Sequence, residues 1–225
     1  MAAGNFTFYD AMKTNLLEGK VNFSSDNFNL ALVASSYTPS VPGDATWANA
    51  SADEATGTGY TAGGVTLGSD ALSYFVAAAA VAAGGTGYAA SSTFNVNVSG
   101  GTETTAAVVN VTTNASGVVT TINSITTAGV YSVLPANPAA TTGGAGSGLT
   151  LTLTWGVAIT TAAAVWASST ITAKYALMVH RAGGSLVSTD LLVGYIDLNT
   201  GGGSISSTNG TFQVSPSAQG WATLT

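Results

Sequence analysis

Apolar residues recur at three- and four-residue spacing only near the N-terminus. Phe6, Tyr9, Met12 or Lys13, and Leu16 or Leu17 predict a helix over residues 6–18, and Gly19 is placed to cap it in the left-handed region. Such a stripe predicts a helix that covers one end of a core; docking on a partner subunit is the alternative. From Val21 the period changes to two. Phe28, Leu30 and Leu32 alternate with Asn29, Ala31 and Val33, which predicts a strand buried on at least one face. A long connection follows from Ser35 to about Glu54, broken by Pro39, Pro42 and Gly43. Glycines 57, 59, 63 and 64 then crowd around Tyr60, which predicts turns with positive φ and close backbone approach before a strand at Val65 and Leu67.

The C-terminal third alternates again. Ile171–Arg181 predicts one strand of about 11 residues with Tyr175, Leu177 and Val179 on one face. Leu191–Leu198 predicts the next strand after a Gly183-Gly184 turn, and Thr211–Val214 and Trp221–Thr225 predict closing strands after the Gly201-Gly202-Gly203 loop. Between these parts, Val76 to Trp155 holds one charged residue, Glu103, yet still alternates. Its β signals are Phe94, Val96 and Val98, then Val109 and Val111, then Val118 to Ile125, and last Leu149 to Trp155. Flexible linkers lack such β-branched runs. The expected fold is therefore mostly β: an antiparallel β-sandwich or barrel with one short N-terminal helix and a second, inserted β module. The expected host domain is 1–75 plus 156–225, and the inserted Gly/Thr/Val-rich module is 76–155.

Composition narrows the function. Charged residues are 6% of the chain, where a soluble domain has about 25%. Weak self-repulsion lets many copies sit side by side, so an assembly subunit is expected. A net charge of -6, with only Lys13, Lys20, Lys174 and Arg181 as fixed cations, argues against nucleic acid as a partner. The absence of cysteine excludes disulfides and thiolate metal sites. The N-terminus lacks the basic region and apolar run of a secretory signal. The most apolar stretch, Tyr74 to Ala83, is about half the ~20 residues of a membrane-spanning helix. No membrane partner is expected.

Catalytic chemistry finds little support. Gly143 to Gly148 and Gly84 to Gly87 have glycine spacings of phosphate loops, but β-alternating residues follow and no lysine lies nearby. His180 is the only histidine; Asp190 and Asp197 on the next strand could approach it, but no nucleophile elbow exists. Asp44, Asp53 and Glu54 could ligate calcium from a loop, and are expected to be solvated instead. The dispersed acids offer no glycosidase pair. The chain is expected to be no enzyme, with no cofactor and no metal. Trp155, Trp166 and Trp221 lie in or beside apolar β runs and are expected in the core. Trp47, in a polar loop, is the tryptophan expected to meet a partner.

The segments NFNLALVASSYTP and EATGTGYTAGGVTL, after the short helix, resemble a family of small tailed-bacteriophage virion proteins. Val165-Trp166-Ala167 with SSTITAKYALMVHR is similar to that family's tryptophan strand and its successor, and GTFQVSPSAQGWATLT to its closing strands. The resemblance covers roughly 5–72 and 157–225. The remainder, with AAGGTGYA and TTGGAGSG, is similar to Gly/Thr-rich β modules of phage capsid and tail proteins; the usual family members lack it. This implies a structural component of the virion, assembled in the host cytoplasm. The foremost expectation is a capsid decoration or cement protein that binds the major capsid protein or other virion proteins, as a homo-oligomer or packed between them. The alternative is a tail or head-fibre module that contacts the host surface. The expected contact surfaces are the helix at 6–18, the Trp47 loop and the closing strand at 221–225, and the candidate contact residues are Phe6, Tyr9, Trp47, Tyr60 and Trp221.

Overall fold

The computed structural model describes residues 3–67, 71–217 and 219–225; Met1 and Ala2, which open the N-terminal pattern, lie outside the described residues. In chain order the elements are β1 (Thr7–Phe8), α1 (Asp10–Leu17), β2 (Asn27–Val33), two 3-10 turns (Trp47–Asn49 and Ser51–Asp53), β3 (Val65–Thr66) and β4 (Ala71–Thr86). Then come β5 (Thr93–Ser99), β6 (Thr102–Thr105), β7 (Val108–Thr113), β8 (Val119–Thr127), β9 (Val130–Val133), β10 (Ala139–Thr142) and β11 (Ser147–Thr160). The chain closes with β12 (Ala164–Ala173), β13 (Tyr175–Arg181), β14 (Leu191–Asp197), β15 (Ile205–Val214) and β16 (Ala222–Leu224). The protein is mostly β, with one short α-helix and several antiparallel sheets, one of them a curled half-barrel. It forms two compact units: Met1–Ala71 with Ile159–Ala222, and Leu72–Ala158 with Thr223–Thr225.

Unit 1 is built on a five-stranded sheet in the order β1-β14-β13-β2-β3. Both of its faces are covered, which is why β2 is buried from Phe28 through Val33 without a polar face. On one face Leu30, Leu32, Ala176, Met178 and Val193 share a core with Trp166, Ile171, Phe212 and Val214 of the β12-β15 pair. On the other, Ala31, Val33, Leu177, Val179 and Leu192 lie under Tyr9, Tyr37, Trp47 and Ala50, supplied by the start of α1 and the long connection. Two apolar layers back to back remove the exposed sheet face that would otherwise invite association.

Two local expectations need correction. The helix starts at Asp10, because Thr7 and Phe8, just after Phe6, form a strand whose register sets Thr7 opposite Tyr195 and Phe8 opposite Gly194. A Cβ on Gly194 would lie 2.3 Å from the Phe6 ring, so the bare backbone there is what lets that ring approach the sheet. The expected strand 171–181 is two strands. Ala173 ends a strand paired with β15, and Tyr175 begins one paired with β2 and β14. Apolar alternation runs straight across this change of sheet, so period alone does not reveal it. The closing strand pairs with β11 of the nine-stranded sheet.

Unit 2 holds most of that sheet, ordered β6-β9-β4-β11-β10-β5-β7-β8 with β16 beside β11. Its core is Val76, Val96, Val98, Val109, Val111, Leu149, Leu151 and Leu153, closed by Tyr88 and Tyr131. In LTLTLT the leucines point inward and the threonines face outward or stay half-buried. The 16-residue β4 is not evident from sequence, since its central Ala77–Ala80 run has no polar partner positions. Burial nevertheless alternates along it, so small side chains hide a regular strand.

Candidate functional site

The GTGYTAGG segment braces β2 and β3 of unit 1. Glycines 57, 59, 63 and 64 all have positive φ. At Gly64 (φ 72°) a Cβ would fall 2.0 Å from the Leu30 carbonyl oxygen, so β3 reaches β2 only with glycine there. Tyr60 stacks on Trp166, and its hydroxyl accepts from Leu32 N–H at 3.1 Å and donates to Glu54 at 2.9 Å. Burial, with the adjacent Glu54 carboxylate, pushes the Tyr60 phenol far above its ordinary value, while the Leu32 bond opposes this. Glu54 also accepts from Gly63 N–H.

The candidate contact residues separate by burial. Tyr9 (0% exposed), Trp47 (4%) and Trp221 (4%) are interior, whereas Phe6 and Tyr60 are half-buried against the core. As surface contacts Tyr9, Trp47 and Trp221 are therefore corrected to core. Trp47 faces inward because its loop is held by backbone bonds, Trp47 N–H to Asp190 O at 2.7 Å and Ala48 N–H to Ser188 O at 2.9 Å. Tyr9 belongs to a hydrogen-bond chain: its hydroxyl lies 2.6 Å from that of Tyr37, which donates to Asp44 at 2.7 Å. Burial is the main reason both phenols resist ionisation. The exposed large apolar side chains among the described residues are others: Leu16 and Leu17 on α1, Val165 and Val187 in unit 1, and Leu72, Val133, Leu134 and Leu224 in unit 2.

The candidate groups His180, Asp44, Glu54, Asp190 and Asp197 have structural partners. His180 Nε2 lies 3.0 Å from Asp26, not from Asp190 or Asp197, and its ring packs on Phe28. Burial raises the Asp26 carboxyl pKa, but bonds from Asn22 N–H, Ser25 and His180 outweigh it and hold the group below its ordinary value. Asp190, 2% exposed, accepts from Ala182 and Val187 N–H and closes its own loop. Asp44 accepts from Ser40 N–H as well as Tyr37. Among the described residues no group of three or more His, Cys, Asp or Glu is arranged to hold a metal. The Gly143–Gly148 segment leads into β11, and a Cβ on Gly146 would strike the Tyr88 ring, so these glycines serve packing. No helix among the described residues is long and apolar enough to cross a membrane.

One cleft of unit 1 collects unused polar groups. It encloses about 360 Å³ and is lined by Gly4, Asn5, Thr7, Thr38, Pro39, Tyr175, Tyr195 and Asp197. Sheet register builds it: Tyr195 lies between Thr7 and Leu177, and Tyr175 faces Asp197 across β13-β14, so the side chains share one face. The Tyr175 and Tyr195 rings meet edge to face, centroids 5.9 Å apart at 84°. Lys174, 8% exposed, bonds to Asn199 O at 2.6 Å and Asp197 Oδ1 at 2.7 Å, and its Nζ sits 5.5 Å over the Tyr175 ring. Burial raises the Asp197 pKa, yet the Lys174 bond, the Asn199 N–H and the ammonium charge together hold it below its ordinary value. Tyr175 shares a face with Leu177 and Val179, as alternation predicts. The signal for the rest was Tyr195 two residues before Asp197 on the adjacent strand.

The chain matches no protein-family model, no curated protein and no solved structure in the comparisons made.

Proposed function

We propose that the chain is a non-enzymatic structural component of a tailed-bacteriophage virion, a capsid decoration or cement protein that binds the major capsid protein and stabilises the shell. The observation that carries the reading is the sequence pattern of 5–72 and 157–225, including the GTGYTAGG brace, which resembles that class of virion protein. The low charge of the whole chain supports it, since closely packed copies repel one another little. So does α1, where Leu16 and Leu17 (89% exposed) leave an apolar step outside the core. Attachment then rests on apolar burial, backbone hydrogen bonds and Ser/Thr/Asn contacts. The surface ion pairs Lys13–Asp10 and Lys20–Glu18 stay within this chain and contribute little.

A tail or head-fibre module is the second reading, favoured by the Gly/Thr-rich unit 2 with Val133 and Leu134 exposed. A density map of the particle, with copy number from quantitative mass spectrometry, separates the readings. Copies in proportion to the major capsid protein are expected. A few copies confined to the tail would favour the second reading, and absence from purified particles would refute both.

A further inference from the structure

We infer that the Tyr175–Tyr195 cleft of unit 1 is a binding site for a neutral saccharide unit. The inference does not rest on the virion reading, because every group it uses lies in unit 1 of this chain.

The unused polar groups come first. The other tyrosine hydroxyls of unit 1, those of Tyr9, Tyr37 and Tyr60, all have protein partners. The hydroxyls of Tyr175 and Tyr195 have no hydrogen-bond partner among the described residues, and neither do the side chains of Asn5, Thr7 and Thr38. Asp197 takes both of its bonds, from Lys174 and Asn199, on Oδ1, which leaves Oδ2 turned to no described donor. Six uncommitted polar groups therefore border one small cleft beside two aromatic rings. The volume falls in the range of ligand clefts, about 300–1,000 Å³, and the lining is more polar than that of an apolar pocket, which suits a ligand rich in hydroxyls.

Charge then selects the ligand class. Two tyrosines and a carboxylate would suit an organic cation, but Lys174 already occupies that role, neutralising Asp197 and lying over the Tyr175 ring. A second cation would compete with a buried ammonium. An anion would meet the Asp197 carboxylate and no uncommitted cation. A neutral ligand with an apolar face and several hydroxyls remains, which describes a pyranose ring: its C–H face packs on an aromatic ring, and its hydroxyls reach Asn5, Thr38, the Tyr195 hydroxyl and Asp197 Oδ2. A single carboxylate cannot perform the paired acid–base chemistry of glycoside hydrolysis, so the site binds and does not cleave.

The test is a titration of the ¹⁵N-labelled full chain with methyl glycosides of glucose, galactose, mannose and N-acetylglucosamine, with choline and glucuronate as charged controls. At least one glycoside should shift the amides of Asn5, Thr38, Tyr175 and Tyr195 saturably, with neither control doing so. Asn5→Ala alters an exposed side chain and Tyr195→Phe keeps the ring; each should weaken binding about three- to tenfold, the loss of one hydrogen bond. The inference is overturned if no glycoside shifts these amides, if saturable shifts map elsewhere, if choline or glucuronate binds more tightly, or if both variants bind as well as the parent.

Discussion

Units 1 and 2 are both antiparallel β structures of small apolar residues, but they are held together by different means. Glu103 is the one Asp, Glu, Lys or Arg in unit 2, and every other such residue lies in unit 1. Unit 1 uses its charges as internal braces: Asp190 closes a loop, Glu54 ties Tyr60 to Gly63, Asp44 anchors Tyr37, and Lys174 joins Asp197 to Asn199. Its strands are joined by long irregular segments whose buried backbone groups require partners. Unit 2 has short connections and nearly continuous sheet, so the ladder itself satisfies the backbone. Its side chains have only to alternate, with Thr93–Thr112 and Asn95–Asn110–Asn123 pairs along the outer face. Charge is thus concentrated where connections are long.

Unit 1 should be most vulnerable at Gly64. Gly64→Ala sets a methyl against the Leu30 carbonyl and should cost unit 1 more than about 4 kcal/mol, while hydrogen exchange over 72–158 stays as protected as in the parent. Loss of protection in both units together would show that they share one cooperative structure. The converse variant, Leu151→Ala, removes a fully buried side chain from unit 2 and should cost about 2–5 kcal/mol. Its effect is expected over 72–158, with the tryptophan fluorescence transition of unit 1 unmoved.

Acid should separate the units by a smaller margin. A carboxyl whose pKa is lower folded than unfolded stabilises the fold above the unfolded value, and that contribution is lost as pH falls through the folded value. Asp26 and Asp197 are both lowered, and both lie in unit 1. Denaturant midpoints for unit 1 should hold from neutrality to about pH 4, the ordinary carboxyl range, and fall below it. Those of unit 2 should change less. Equal acid sensitivity in the two units would contradict the bracing role given to these carboxylates. The smallest effect on folding is expected from Leu17→Ser, within about 0.5 kcal/mol, because the side chain is almost wholly in solvent. On particles it should loosen attachment if α1 meets the capsid. Particles washed in about 1 M NaCl, where the Debye length is ~3 Å, should keep the parent protein.

What the sequence discloses follows from what alternation can encode. The mostly β fold, strand β2, the LTLTLT strand and the positive-φ glycines around Tyr60 were legible, because each is fixed by local stereochemistry or by a period of two. The change of sheet at Lys174 was not, since alternation continues through it, and the Phe6–Tyr9 spacing fits a helix as well as it fits a strand followed by a helix. Trp47 looked exposed because its neighbours are polar. It is buried because Asp190 and Ser188, more than 140 residues further on, hold its loop against the sheet. The cleft was illegible for the same reason: Asn5, Thr38, Tyr175 and Tyr195 meet only through the pairing of β1, β13 and β14 and the path of the long connection.

Unit 2 is expected to be an inserted β module without which unit 1 still folds. Residues 72–158 should be replaceable by a short Gly-Ser turn, because β4 and β11, which carry the chain out of unit 1 and back, are hydrogen-bonded neighbours. Circular dichroism and thermal unfolding of that deletion variant test the claim directly. The expected result is a β spectrum and a cooperative transition, with Trp47 and Trp166 still shielded from quencher. A disordered spectrum with no transition would contradict the account.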